Sequence, residues 1–218
     1  MRKKNRKKCY GGVCLLLAFG LWTAALCTVD VQPIGPLGSA VGFAALNGWF
    51  HDLTGVHMSL YVLTDRLSLI PLGVVMGSAL LGLGQWIKRK RISKVDRSIL
   101  VLGGFYAAVM AAFLFFEKCV VNFRPVLIEG VLEASYPSST TMLVMCVMPT
   151  AIMQVNERVS DRVVRKSAVL GMTAFTVFMV LGRLLSGVHW LSDIIGGALL
   201  SAGLALFYAA FSDSAANR

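Results

Sequence analysis

The sequence predicts an all-α membrane protein, a six-transmembrane helix bundle with both termini in the cytoplasm. Composition indicates a membrane protein, because 56% of the 218 residues are hydrophobic and only 15% are charged. That balance is too apolar for an ordinary soluble domain. The apolar residues lie in long runs separated by short polar segments, as membrane-crossing helices require. The distribution of positive charge then gives the orientation.

The first span is predicted at the apolar run from Tyr10 to Val29, which follows a basic block at residues 1–8. A signal peptide is the alternative, but the region Ala24–Cys27 is a poor cleavage site and the run is long enough to span. We therefore expect an uncleaved first helix. Residues 30–58 are rich in Gly and Pro and predict an extracytoplasmic loop with a short interfacial helix.

Five further apolar runs predict the remaining spans. They cover about Leu67–Ile87, Ile99–Phe116, Pro137–Val155, Ser167–Leu181 and a last run that ends at Phe211. We expect residues 1–58 to form an N-terminal unit of tail, first helix and loop. Residues 59–218 are expected to form the helical domain that carries the chemistry.

Basic residues gather on one side of this arrangement. Of the 21 Lys and Arg residues, six precede the first span, six lie between spans two and three, four between spans four and five, and one in the C-terminal tail. The positive-inside rule makes that side cytoplasmic. The net charge of +10 is then a topology signal, helped by anionic membrane lipids, and nucleic-acid binding is the poorer account.

Three polar segments, 117–125, 136–141 and 182–193, are expected to meet on the extracytoplasmic face. Their candidate site residues are Lys118, Arg124, Ser138, Ser139, Thr140, Arg183, His189 and Asp193. Three cations with few matching acids indicate an anionic ligand. The backbone N–H groups of a helix that starts at Pro137 are also suited to phosphate.

The segment 182–193 carries the clearest chemistry. If the chain is helical from Trp190, His189 and Asp193 lie one turn apart on one face. The carboxylate can then fix the tautomer of the imidazole and leave its other nitrogen as a nucleophile or base. Arg183 is a planar donor suited to phosphate oxygens. The alternative is that His189 and Asp193 only cap an interfacial helix.

These residues resemble the motifs of the type 2 phosphatidic acid phosphatase family, which shares its catalytic core with vanadium haloperoxidases. The family motifs are K-x6-R-P, P-S-G-H and S-R-x5-H-x3-D. The third reads Gly182-Arg183-x5-His189-x3-Asp193 here, with Gly in place of Ser, and the second reads Pro137-Ser138-Ser139-Thr140. The first reads Lys118-x5-Arg124-Pro125, one residue short, so that Glu117 stands where the family's lysine would fall.

The resemblance implies a plasma-membrane phosphatase that hydrolyses a lipid phosphate or diphosphate, such as phosphatidic acid or undecaprenyl diphosphate, on the extracytoplasmic face. His189 would form a phosphohistidine and Asp193 would orient it. The phosphate oxygens would be held by Lys118, Arg124 and Arg183, with hydroxyl and backbone donors from Ser138, Ser139 and Thr140. No metal or other cofactor is implied.

One departure from the family pattern affects the chemistry. Thr140 stands where the family has the histidine thought to protonate the leaving group, and a hydroxyl is too weakly acidic for that task. This predicts that lipid diphosphates, whose phosphate leaving group needs little help, turn over better than phosphatidic acid. Glu133 and Glu129 are candidate substitute acids. A lipid-linked phosphotransferase and a non-catalytic, lipid-binding relative are the alternative functions.

Overall fold

The structure is a computed structural model that describes residues 3–215. Within that range the chain forms eight α-helices, and its only β pairings are isolated bridges. The helices are α1 (Lys3–Thr28), α2 (Ala44–Thr54), α3 (Met58–Leu67), α4 (Leu69–Arg89), α5 (Arg97–Lys118), α6 (Ser139–Arg158), α7 (Arg162–Leu185) and α8 (Leu191–Ala215). The predicted all-α class is confirmed.

Five helical segments in the described range are long and apolar enough to cross a membrane. They are Asn5–Thr28, Met58–Arg89, Arg97–Lys118, Arg162–Leu185 and Leu191–Ser212. The second is longer than the predicted span because α3 runs directly into α4 at Ser68. The count of six spans and the cytoplasmic position of both termini stay predictions. Two residues used in the charge count, Arg2 and Arg218, lie outside the described residues.

The remaining predicted span corresponds to α6, which is less apolar than these five segments. Its 20 residues give a length of about 30 Å, and it packs against α4, α5, α7 and α8. Its polar side chains find partners inside the bundle: Gln154 donates to Tyr208 Oη at 2.7 Å, and the hydroxyls of Thr150 and Tyr106 lie 3.1 Å apart. A helix surrounded by other helices can carry such groups at membrane depth.

The N-terminal helices hold the beginning of α8, which follows the site segment directly. Trp22 Nε1 on α1 donates to the carbonyl of Ser192 at 3.2 Å. Asn47 on α2 donates to Ser192 Oγ at 2.9 Å and accepts from Ser192 N at 3.1 Å. These contacts fix the first turn of α8 from two sides. The division of the chain at residue 58 stays a prediction.

The segment between α5 and α6 forms a hairpin-like loop. Arg124 N donates to Glu133 O at 3.0 Å, and Ser135 N donates to Asn122 O at 2.9 Å. The turn lies between Ile128 and Val131, where both central residues have positive φ angles of 51° and 80°, as tight hairpin turns require. The pairing brings polar residues that are distant in sequence to one end of the helical bundle.

The first turn of α8 lies close against the segment that leads into α6. Ser138 N donates to Asp193 O at 3.1 Å. A Cβ atom on Gly196 would lie only 2.4 Å from Cε2 of Tyr136, a side chain that is itself buried. The glycine is therefore required by a close approach of two segments that build the site.

We expect Gly196→Ala to lower the free energy of unfolding by about 1–3 kcal/mol, because the added methyl group overpacks a buried contact. Gly171→Ala is the matched control, since its position on α7 has open space around it, and alanine is the better helix former. Thermal denaturation in detergent measures both variants. Equal midpoints for the two would contradict the close packing at Gly196.

Candidate active site

A small cavity of about 60 Å³ lies where the end of α5, the hairpin-like loop and the segment before α8 come together. Its polar lining residues are Glu117, Arg124, Glu133, Ser135, Ser139 and His189. Phe113, Phe116 and Tyr136 form aromatic parts of the wall. Each of the three polar segments that the sequence placed on one face contributes to this cavity.

His189, in the loop between α7 and α8, is only 3% exposed and is held at both ring nitrogens. Its Nε2 lies 3.1 Å from Nη1 of Arg124, and its Nδ1 lies 3.0 Å from Oγ of Ser135. A guanidinium can only donate hydrogen bonds. Nε2 is therefore the nitrogen with the lone pair, and Nδ1 carries the proton of the neutral ring.

Ser135 connects His189 to Asp193. The distance from His189 Nδ1 to Asp193 Oδ2 is 3.8 Å, which is too long for a direct hydrogen bond. The Ser135 hydroxyl donates to Asp193 Oδ2 and accepts from His189 Nδ1. Asp193 is fully buried and also accepts from Trp190 N at 2.9 Å. The carboxylate thus acts on the imidazole through a hydroxyl that the sequence analysis did not identify.

Burial lowers the pKa of His189 to about 4, a shift that Asp193 opposes and the positive charge of Arg124 reinforces. The ring is therefore neutral at pH 7. A neutral imidazole anchored at Nδ1 presents the lone pair of Nε2 for attack or for proton abstraction.

We expect His189 to titrate near pH 4, well below the ordinary value of 6.5, because the buried site disfavours the imidazolium. The chain has three histidines, so a variant with His51→Asn and His57→Asn leaves His189 as the single probe. NMR of ¹³C-labelled histidine in detergent, recorded from pH 7 downward, measures the titration. A midpoint near 6.5 would contradict the buried neutral ring.

Arg124 lines the cavity and makes several contacts there. Its Nε donates to Glu133 Oε2 at 2.9 Å, while its Nη1 reaches His189 Nε2 and, at 3.4 Å, the carbonyl of Val188. Its guanidinium also lies 5.9 Å from the ring centre of Tyr61 on α3. One arginine thus links the hairpin-like loop, the histidine and α3.

Arg183, at the end of α7, is only 2% exposed. Its Nη2 donates to Asp65 Oδ1 at 2.8 Å, and its guanidinium lies 4.7 Å from the ring centre of Tyr61. Its Nε and Nη1 have no hydrogen-bond partner among the described residues. Arg183 does not line the 60 Å³ cavity itself, but its positive charge and that of Arg124 both act on His189, and both guanidiniums lie near the ring of Tyr61.

The close contact between α3 and α7 accounts for the glycine that replaces the family's serine. A Cβ atom on Gly182 would lie 2.7 Å from Cγ2 of Thr64 and 3.6 Å from Cδ1 of Leu60. Glycine at this position lets α3 approach α7 closely enough for Asp65 to reach Arg183. Gly182, which replaces the serine of the third motif, is thus required for the close packing of α3 against α7.

Of the remaining predicted site residues, only Ser139 lines this cavity. Lys118 is exposed and does not line the cavity, whereas Glu117 does, because consecutive residues of a helix point about 100° apart. Ser138 caps α6, with Oγ accepting from Thr141 N at 3.5 Å. Ser139 lines the cavity, while Thr140 lines a neighbouring apolar cavity of about 290 Å³ that Ser139 also reaches.

The charge balance differs from the sequence-based expectation of three cations with few matching acids. Arg124 is paired with Glu133 and Arg183 with Asp65, and Glu117 adds a further carboxylate to the cavity wall. These ion pairs were not predicted, because Asp65 and Glu133 lie outside the three segments that carry the motifs, and Glu133 was named only as a candidate acid.

The fold and this site define a class, an integral membrane protein with a buried histidine and two arginines at one end of an apolar helical bundle. The family model described as PAP2 superfamily matches residues 104–215, slightly more than half of the chain. The protein therefore belongs to the PAP2 superfamily, the type 2 phosphatidic acid phosphatase family indicated by its motifs.

Among solved structures, the chain is similar to one described as the first transmembrane PAP2 type phosphatidylglycerolphosphate phosphatase, from Bacillus subtilis. The two chains are 19% identical with a TM-score of 0.60, and the match covers 96% of this chain and 98% of that one. At this identity the likeness shows a shared fold. No curated protein matches the chain.

Proposed function

We propose that the protein is a lipid phosphatase that forms a phosphohistidine on His189. The observation that carries the proposal is the state of that ring: it is neutral, anchored at Nδ1, and has the lone pair of Nε2 beside Arg124 in a small cavity. This is the form of histidine that attacks phosphorus. The phosphatase named in the solved relative from Bacillus subtilis supports a lipid phosphate as the substrate class.

In the proposed first step, Nε2 of His189 forms a bond to phosphorus as the bond to the leaving oxygen breaks. Arg124 then exchanges its hydrogen bond with Nε2 for one with a phosphate oxygen. The free Nε and Nη1 of Arg183 are available for another oxygen, and both cations stabilise charge that spreads over the phosphoryl group. Asp193, acting through Ser135, stabilises the positive charge that develops on the imidazole.

The beginning of α6 and the apolar cavity contribute to substrate binding in this proposal. The backbone N–H groups of Ser139 and Thr140, at the start of α6, are suited to phosphate oxygens, whereas that of Ser138 already donates to Asp193 O. Ser139 lines the wall beside His189. The 290 Å³ apolar cavity shares Phe113, Ser139 and Met142 with the smaller one. A head group and the start of a lipid tail can therefore be accommodated side by side. Lys118 stays a predicted phosphate contact.

The proposed location is the extracytoplasmic face of the plasma membrane. Its support is the distribution of charge: the basic loops after α4 and after α6 lie at the opposite ends of these helices from the cavity. By the positive-inside rule, the end with the basic loops is cytoplasmic. A substrate would then reach the cavity from the outer leaflet.

The test is phosphate release by the purified protein in detergent, without added metal, from phosphatidic acid and from undecaprenyl diphosphate. We expect release by the wild type and by His57→Ala, whose histidine is exposed, and none by His189→Ala. Rapid quenching should trap a phosphoenzyme that is labile to acid and stable to base. Transfer of phosphate to an added acceptor instead of water would indicate a phosphotransferase, and lipid binding without turnover would indicate a non-catalytic relative.

A further inference from the structure

A further apolar cavity, of about 430 Å³, lies between α4 and α5 beside the basic loop that joins them. Its wall extends from Val75 to Trp86 along α4, and from Ile99 to Tyr106 along α5. We call this cavity the α4–α5 cleft. Its lining includes no charged side chain among the described residues, so the cleft favours an apolar occupant.

The dimensions of the cleft match one acyl chain of a membrane lipid. Val75 and Trp86 are eleven residues apart, a rise of about 16 Å on an α-helix, and this is about half of the 30 Å hydrocarbon core of a bilayer. The cleft thus spans one leaflet. A helix of that length, about 10 Å across, occupies roughly 1,200 Å³, which is far more than the 430 Å³ available.

The loop between α4 and α5 closes the basic end of the cleft, and a set of hydrogen bonds to one carboxylate holds it in place. Gln85 Nε2 donates to Asp96 Oδ2 at 2.8 Å, and Asp96 N donates to Gln85 Oε1 at 2.9 Å. Arg89 on α4 and Arg158 on α6 donate to the same carboxylate at 2.9 and 3.0 Å. These contacts fix the spacing of α4 and α5 at the mouth of the cleft.

The same loop carries an excess of positive charge. Ile92 and Val95 of the loop line the cleft, and Asp96, the only acid in the segment 88–97, is already engaged by two arginines. Five exposed basic side chains of this segment form no ion pair with any described residue: Lys88, Lys90, Arg91, Lys94 and Arg97. An apolar cleft with such cations at its mouth matches a lipid that has an acyl chain and an anionic head group.

We propose that the α4–α5 cleft binds one anionic phospholipid from the surrounding bilayer, with an acyl chain in the cleft and the phosphate head group against the basic loop. The positive-inside rule makes this lipid a component of the cytoplasmic leaflet. The cleft is separate from the cavity that contains His189, so the lipid site does not depend on the proposed phosphatase function. Val75 and Tyr106 line both the cleft and the 290 Å³ apolar cavity, so the bound lipid supports the wall of that cavity.

Gly103→Leu tests the cleft, because Gly103 lines it and a Cβ atom at this position has no neighbour within 4 Å. The leucine side chain can therefore fill the cleft without displacing the helices. Gly104→Leu is the matched control, since its Cβ position is equally open but lies outside the lining. The thermal midpoint of each protein is measured in a neutral detergent during titration with dioleoylphosphatidylglycerol or with dioleoylphosphatidylcholine, which has the same acyl chains.

For the wild type we expect phosphatidylglycerol to raise the thermal midpoint by about 5–10 °C at a hundredfold excess over its apparent Kd. Phosphatidylcholine should bind at least about tenfold more weakly, because its head group carries no net charge. Gly103→Leu should lose most of the rise caused by phosphatidylglycerol, whereas Gly104→Leu should keep it.

The double variant Arg91→Gln with Lys94→Gln tests the contact with the head group. Its control, Lys3→Gln with Lys7→Gln, removes the same charge from exposed side chains of α1, a helix that packs against α8. The loop variant should raise the apparent Kd for phosphatidylglycerol by about 10- to 30-fold, and the control should stay within a few-fold of the wild type.

Equal responses to the two lipids, or equal losses in the two charge variants, would indicate unspecific attraction of lipid and overturn the inference. A full response to phosphatidylglycerol in Gly103→Leu would overturn it as well. If that variant also changed the oligomeric state measured by light scattering, the cleft would be an interface between copies of the chain. Midpoints recorded before lipid is added verify that each variant is folded, and the loop variant tests the site independently of Gly103→Leu.

Discussion

Replacing Asp193 with asparagine should lower kcat by about 10³- to 10⁴-fold and leave KM within a few-fold of the wild-type value. The buried carboxylate accepts from both the Ser135 hydroxyl and Trp190 N through Oδ2. An amide nitrogen at that position cannot accept, and the flipped amide would set its nitrogen against Nδ2 of Asn122, which lies 3.5 Å from Oδ1. Either way the negative charge is lost and the Ser135 hydroxyl is held less firmly. The imidazole of His189 is then free to adopt the tautomer with its proton on Nε2, which has no lone pair for phosphorus.

Ser135→Ala distinguishes the hydrogen-bond relay through the Ser135 hydroxyl from the effect of the negative charge on Asp193. It removes the hydroxyl between the ring and the carboxylate but keeps the negative charge of Asp193, so we expect a smaller loss in kcat, about 10²-fold. Steady-state kinetics on phosphatidic acid, with rapid-quench measurement of phosphoenzyme formation, distinguishes the two variants. A normal rate of phosphoenzyme formation in Asp193→Asn would rule out the relay through Ser135.

The two partners of the Arg183–Asp65 pair should differ in what their removal changes. Loss of Arg183 should mainly reduce activity, whereas loss of Asp65 should mainly reduce stability. Arg183→Leu should lower kcat/KM by about 10²- to 10³-fold, since one donor to the phosphoryl oxygens is lost, and should leave the fold intact because Asp65 is 59% exposed and can be solvated. Asp65→Leu should lower the free energy of unfolding by about 1–3 kcal/mol, because it leaves a buried guanidinium with no hydrogen-bonded carboxylate.

Phosphate-release kinetics and thermal denaturation in detergent, performed on both variants, test this asymmetry. Arg66→Ala is the control. Arg66 lies next to Asp65 on α3 and its side chain is exposed, so this variant should change neither the kinetics nor the thermal midpoint by much. If Arg183→Leu proved the less stable of the two and kept full activity, the arginine would serve the contact between α3 and α7 and not the phosphate.

Five of the six spans predicted from hydropathy fall on helical segments that are long and apolar enough to cross a membrane, because the bilayer imposes a minimum length of apolar chain. The differences lie at the ends: α7 runs from Arg162 to Leu185, whereas the predicted span covered only residues 167–181. A helix continues past its apolar centre into the polar zones of the membrane, where composition no longer marks it. The separate helix α3 was not predicted, because Asp65 and Arg66 interrupt the apolar run.

The candidate site was predictable only where it is local in sequence. His189 and Asp193 are four residues apart, and the spacing alone brought them together. Ser135 and Glu117 come from other parts of the chain, and sequence spacing carries no information about contacts across such separations. The only sequence signal for Glu117, which lines the cavity, was its alignment with the family's lysine.

The polarity of α6 has a consequence for how the protein is made. A segment with buried Thr140, Thr141, Thr150 and Gln154 partitions weakly into lipid when it leaves the translocon by itself, yet it supplies surfaces that four other helices contact. We expect α6 to be retained in the membrane only when neighbouring helices have been synthesised and can shield it. Biogenesis would then proceed through a partly inserted intermediate, and chains that end before α7 would be substrates for membrane quality control.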